Sequence, residues 1–309
     1  ERGWRDLLGP AVEGGLQPTG EELVAVVDLG NRLNGVVVWE SNRDGAWDIF
    51  RINTDGTGFD RLTNFAATDD PLAYTAYLRP RISPDGQWVL FEYGMAEQPG
   101  ESWLVPMQPG GQARRVLVGE PLNWLPDSSG FCFVRDSLLQ QYTLADGAEA
   151  VVNDKPLTIT GSGQGLVGAV APDLSAVAYR SPKENEFFDF AQGKTIHTTV
   201  GCEAQIGRDG NLYWVNRPKE FRMWSPQTEQ DHVLLAEPSH PTHSYTYFPT
   251  VSADGKWLAY GASPDEHSHD SSDYEIFVVA LDNGQAVGDP VRLSWHGKTD
   301  RWPDLWVAP

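Results

Sequence analysis

Cysteine is nearly absent from this chain of 309 residues: Cys132 and Cys202 are the only two. Two thiols so far apart do not make a disulfide framework and say nothing about redox compartment. Cations are scarce as well, with 23 Lys and Arg against 43 Asp and Glu and a formal net charge of −20. Such a surface repels phosphate backbones and anionic lipid, so no nucleic-acid partner is expected. No apolar run reaches the roughly 20 residues a membrane helix needs, so no membrane insertion is expected either. The common catalytic and nucleotide signatures are missing too: no G-x-S-x-G elbow, no P-loop, no G-x-G-x-x-G and no H-E-x-x-H. "NRDGAWD" (42–48) and "ADGAEA" (145–150) lack the length and bidentate Glu of an EF-hand and read as turns. Cys202, in "GCEAQ", has no recognisable base beside it and reads as a small packing residue.

What the chain does have is aromatic residues, glycine and proline in quantity: 12 Trp, 10 Tyr, 31 Gly and 22 Pro. That mixture favours short strands joined by tight turns. The segment "RPRISPDGQWVLFEYG" (79–94) repeats in register as "FPTVSADGKWLAYGAS" (248–263), with weaker copies at 123–136, 168–181 and 203–216. Each copy reads as strand, Asp-Gly type turn, strand, and further strands follow, as in "WDIFRINTDGTGFDRLT" (47–63) and "YEIFVVALDNGQAVGDPVRLS" (274–294). A turn recurs about every 36–46 residues, the period of a propeller blade.

The two ends complete each other. "LNGVVVWESNRDGAWDIF" (33–50) lacks the strand that should precede it, and "DRWPDLWVAP" (300–309) supplies one, with Pro303 in the register of Pro80 and Pro249. The expectation is an all-β, six-bladed β-propeller of four-stranded antiparallel blades, closed by the C-terminal strand joining the N-terminal blade. Residues 33–309 form the single propeller domain. Residues 1–32 form an extension packed on the ring, with "EELVAVVDLG" as its strand-like piece. The chain starts at Glu1 rather than Met, as it would if a leader had been removed by processing or cloning.

The runs "SNRDGAWDIFRINTDGTGFDRLT" and "ISPDGQWVLFEYG" resemble the TolB-like β-propeller repeat family, whose units read roughly S-P-D-G, aromatic strand, D-I-[FY], D-G, L-T. The match is strong in the first, second and last blades and weak in the middle three, where "DFAQGKTIHTTV" (189–200) departs from it. The resemblance implies the fold and a periplasmic or secreted location. It leaves function open, because such rings serve as interaction platforms, sugar-active enzymes and scaffolds.

Blade topology places candidate residues. Turns at 85–86, 254–255 and 282–283 fall on one face, and the loops 237–247, 263–273 and 295–302 fall on the other. That upper face collects five of the seven histidines, His240, His243, His267, His269 and His296, with Glu266 and Asp270 among the carboxylates. Two readings stay open: a site for one divalent ion (zinc, manganese or calcium), or solvated acidic loops that keep the face soluble. Tyr77, Arg79, Tyr245 and Arg301 lie just before innermost strands and are the candidate ligand-facing or catalytic set; Tyr247 and Trp302 read as packing between blades. An arginine there can hold a carboxylate through two parallel bonds, and a tyrosine can stack or donate a proton. No organic cofactor is expected.

The leading expectation is a monomeric recognition platform binding a protein or glycan through its upper-face loops. The alternative is a metal-assisted carbohydrate-active enzyme: "SHPTHSYTYFPTVSADG" is similar to the histidine-before-strand segment of propeller oligogalacturonate lyases. That resemblance implies a metal held by His240, His243, His267 and His269 and β-elimination at the channel mouth. The chain is one blade shorter than that family. A third reading is a peptidase-accessory propeller separated from its catalytic domain.

Overall fold

The computed structural model describes residues 17–65, 78–93, 100–153, 170–180, 184–216, 220–236, 240–264 and 272–309. These form six antiparallel sheets, each running from an inner to an outer strand. The fourth sheet has three full strands, and its inner position is a single bridge from Val170 to Val177. The ring closes as the sequence predicts. Asp300–Val307 lies innermost in the first blade, pairing antiparallel with Gly35–Ser41, which in turn pairs with Asp48–Asn53. Between blades the core falls into five apolar clusters rich in aromatic residues; Trp39, Phe91, Phe133, Phe221, Tyr260 and Phe277 are all inaccessible to solvent.

The strand-like reading of "EELVAVVDLG" is overturned. Gly20–Arg32 is an α-helix, α1. Thr19 caps it: its Oγ1 accepts from the Glu22 N–H (3.1 Å) while the Glu22 carboxylate accepts from the Thr19 N–H (2.6 Å). Leu23, Val26, Leu29 and Leu33 recur at three- and four-residue spacing and enter the core between the first and sixth blades. The capping box and that period outweigh the β-branched run. Gly30 is required because a Cβ there would lie 2.4 Å from the Cβ of Asp55 in the facing turn.

The blade repeat has a physical basis visible in two blades. In the first, Asp48 opens the third strand and Arg61-Leu62-Thr63 closes the fourth. The Asp48 carboxylate accepts from Thr63 Oγ1 (2.6 Å), the Phe65 N–H (2.9 Å) and Arg61 Nη2 (2.5 Å), while Thr63 Oγ1 accepts from the Ile49 N–H (2.9 Å). In the sixth, Glu275 with Arg292-Leu293-Ser294 repeats the pattern: Ser294 Oγ (2.5 Å), the His296 N–H (2.6 Å) and Arg292 Nη2 (2.9 Å) donate to Glu275, and the Ile276 N–H donates to Ser294 (3.0 Å). The D-I-F … R-L-T motif is thus a stitch between third and fourth strands, built on a buried carboxylate whose acceptor sites are filled.

Candidate functional site

Every blade contributes to an axial cavity of about 270 Å³, among whose lining residues are Arg79, Arg81, Asn123, Gln205, Arg208, Thr250, Trp302 and Asp304. The innermost strands reach it through a shared distortion. Pairing shifts register at Pro121/Trp124, Cys202/Gln205, Tyr247/Thr250 and Val38/Glu40, the last opposite the closing strand. Arg79, Glu203, Phe248 and Trp302 sit at or beside corresponding positions with φ of 46°, 56°, 56° and 53°. Three of them precede proline, a context that disfavours helical backbone, and none is glycine. The repeated bulge re-aims the chain at the channel mouth.

A layered set of charges surrounds this opening. Arg301 is buried; its Nε bonds Glu40, and its guanidinium lies 3.7 Å from the Trp47 ring centroid. The other Glu40 oxygen accepts from the Arg79 N–H (3.0 Å). The Arg79 guanidinium lies over Trp302 at 5.0 Å, with Glu120 at 3.7 Å. Arg208 bonds the Ile82 carbonyl (2.5 Å) and Asp304 (3.1 Å), and Asp304 also accepts from the Ile82 N–H (2.7 Å). Arg81 bonds the Arg79 carbonyl (2.9 Å) and has no carboxylate within ion-pair distance among the described residues. Burial, then the Arg79 charge, pulls Arg81 down to about 10. Burial and the neighbouring Glu120 push Glu92 up to about 7. Trp124 Nε1 donates to the Arg81 carbonyl (2.9 Å), and Asn123 holds the Val170 carbonyl (3.0 Å) while its buried Oδ1 has no partner among the described residues.

Among the described residues of the histidine loops, the imidazoles fall into two groups. His240 and His243 stand 5.6 Å apart, centroid to centroid, against Phe277. Thr242 Oγ1 is 3.1 Å from His240 Nδ1 and 2.9 Å from His243 Nδ1. Burial and the nearby Arg292 charge lower both, and His243 reaches about 3. Both rings are therefore neutral at physiological pH. His296 belongs to the second group, with Glu275 and Asp300, whose ligand-type atoms lie within 4.8 Å of one another. Arg292 stands between the groups, bonded to Glu275 and close enough to depress both outer histidines.

The chemistry of the Glu275–His296–Asp300 cluster can be read from its bonds. His296 Nδ1 accepts from the Lys298 N–H (2.9 Å), so the proton of the neutral ring is on Nε2, which donates to Asp300 (2.9 Å). Asp300 also accepts from Arg43 Nη2 (3.0 Å). Two arginines thus balance two carboxylates, and all ligand-type atoms carry hydrogen bonds. The residues have the identities of a metal site but form a charge-balanced clasp joining the closing strand, the first blade and the sixth blade. Tyr245 opens the inner strand of the sixth blade, half-buried. Tyr77, Glu266, His267, His269 and Asp270 lie outside the described residues. Sequence reasoning missed Arg81, Arg208 and Asp304; the alternation of "RPRIS" could have flagged Arg81, two residues after Arg79 on the same face of the strand.

The fold is a TolB-like six-bladed β-propeller. Among solved structures the chain is similar to TolB from Acinetobacter baumannii, with a TM-score of 0.57, 16% identity, and coverage of 89% of this chain and 67% of that one. At this identity the likeness is one of fold. No family model and no curated protein sequence matches the chain. Among the described residues no helix is long and apolar enough to cross a membrane.

Proposed function

We propose that this propeller is a recognition platform of the periplasm or extracellular space, whose ligand enters the axial cavity. One observation carries the reading: all six blades converge on a cavity lined by three arginines that the blade stitches do not use. The four left-handed bulge positions support it, since strain of this kind costs about 1–3 kcal/mol each and collects where side chains must be aimed. A protein segment is the ligand we favour over a glycan, because the Trp302 face is already covered by Arg79 and the cavity offers guanidinium donors for a carboxylate. The metal-assisted lyase alternative draws less support. His296 is bonded at both ring nitrogens, and Thr242 holds His240 and His243 through Nδ1.

The test is selection of binders from a random displayed peptide library and from a glycan array, run beside a Thr250→Trp variant that fills the channel and keeps its melting temperature. Peptides retained by the natural chain and lost by the variant are expected. Binders indifferent to Thr250→Trp would remove the channel from the function, and channel-dependent glycans alone would replace peptide with sugar.

A further inference from the structure

We infer that the channel is built to receive one carboxylate of an extended peptide, a C-terminus or an acidic side chain, on the Arg81 guanidinium. This inference rests on the platform reading and names the chemistry of its ligand.

The argument begins with charge pairing around the cavity. Arg301 is matched by Glu40, Arg79 by Glu120 and Arg208 by Asp304. Arg81 is left with one carbonyl contact, and it lines the cavity. A half-buried guanidinium that faces a cavity with no carboxylate at ion-pair distance keeps donors for an arriving anion. Its planar fork matches a carboxylate through two parallel N–H bonds, geometry that an ammonium cannot reproduce. Arg208 adds to the attraction, since it reaches the carbonyl of Ile82, the residue next to Arg81.

Size and walls narrow the ligand. A cavity of about 270 Å³ is below the roughly 300–1,000 Å³ of drug-sized sites, so it takes a group of about one residue. Its wall includes five prolines, Pro80, Pro84, Pro126, Pro172 and Pro303, rigid apolar surfaces against which an aliphatic backbone can pack. The net charge of −20 works in the same direction: it repels a polyanion such as a polyuronate and admits a ligand with a single carboxylate. Glu92 is the internal competitor. It shares the field of Arg81 with Glu120, Arg79 and Glu40, and an arriving carboxylate makes its ionised form less favourable.

The experiment is isothermal titration calorimetry on the full chain with N-acetyl-trialanine, its C-terminal amide and trigalacturonate as probes. The free acid is expected to bind at least tenfold more tightly than the amide. Arg81→Gln should lose at least tenfold affinity for the acid and Arg81→Lys should recover only part of it, while Arg115→Gln on the outer surface should change nothing. The acid–amide comparison needs no variant and so survives a folding defect at position 81. Equal affinity for acid and amide, no binding of either, or tighter binding of trigalacturonate would each overturn the inference. If channel-dependent peptides emerge from the library but carry no carboxylate requirement, this inference fails and the platform reading stands.

Discussion

Replacing Arg43 with methionine tests whether the Glu275–His296–Asp300 cluster is a clasp. The substitution keeps an unbranched apolar stem and removes the guanidinium, whose carbon lies 4.9 Å from the ring centroids of Phe50 and Phe59, with its charge and donors. Asp300 is wholly buried and would keep His296 as its remaining ionisable partner. Breaking a buried ion pair from one side costs about 3–5 kcal/mol. At about 2.1 cal/mol/K per residue the unfolding entropy of 309 residues is near 0.65 kcal/mol/K, so the melting temperature should fall by about 5–8 °C. The pH profile supplies an independent check. Asp300 is held below its ordinary value by Arg43 and His296 against the cost of burial, so its stabilisation is present above pH 3.8 and lost as pH falls through its folded value. His296 is raised by Asp300 against its own burial, so its contribution is complete below pH 6.5 and lost as pH rises through the folded value. Without Arg43 the imidazolium becomes the principal counter-charge. The deficit of the variant should then vanish in strong acid, stay moderate near pH 6 and deepen above pH 7, where Glu275, pushed up to about 7 by burial, also ionises. Thermal melts of Arg43→Met, Asp300→Asn and the double variant from pH 3 to 9 measure all of this. A deficit under about 1 kcal/mol at every pH, or strictly additive substitutions, would refute the clasp.

Other expectations follow from the same contacts. Glu92 is pushed up to about 7 from an ordinary 4.5, so the protein should lose up to about 3 kcal/mol between pH 4.5 and 8, and Glu92→Gln should remove that slope in urea titrations; an unchanged slope would mean the carboxyl is solvated. Glu203 sits at φ 56°, so Glu203→Val should destabilise by about 1–2 kcal/mol more than Glu203→Gly, and equal midpoints would show that the bulge relaxes freely. Since Arg43 and Arg292 already balance Asp300 and Glu275, dialysis against a chelator should leave the melting temperature unchanged; a fall of several degrees would return an ion to the cluster.

The ring was legible in the sequence because its signals are local and repeated: Asp-Gly turns at blade period, and a terminal strand with a proline in register. Even the stitch could be read as a motif, although its cause, a buried acid satisfied by Arg, Thr and a backbone N–H, needs coordinates. Helix α1 misled because Val24, Val26 and Val27 score as strand, whereas the Thr19–Glu22 box and the spacing of buried Leu29 decide. The histidines could be read from sequence only as far as their loops. Topology gathers loops on a face, but it does not say which hydrogen bonds their side chains have already made. His296 looks like a ligand in sequence and is bonded at both nitrogens by Lys298 and Asp300. Arg81 has the opposite history: the alternation of "RPRIS" sets it beside Arg79, but it gains meaning only when each nearby cation has been matched with its carboxylate. A functional charge in a propeller channel is what remains after the pairing that holds the ring is subtracted, and that subtraction is a property of three-dimensional neighbours rather than of spacing along the chain.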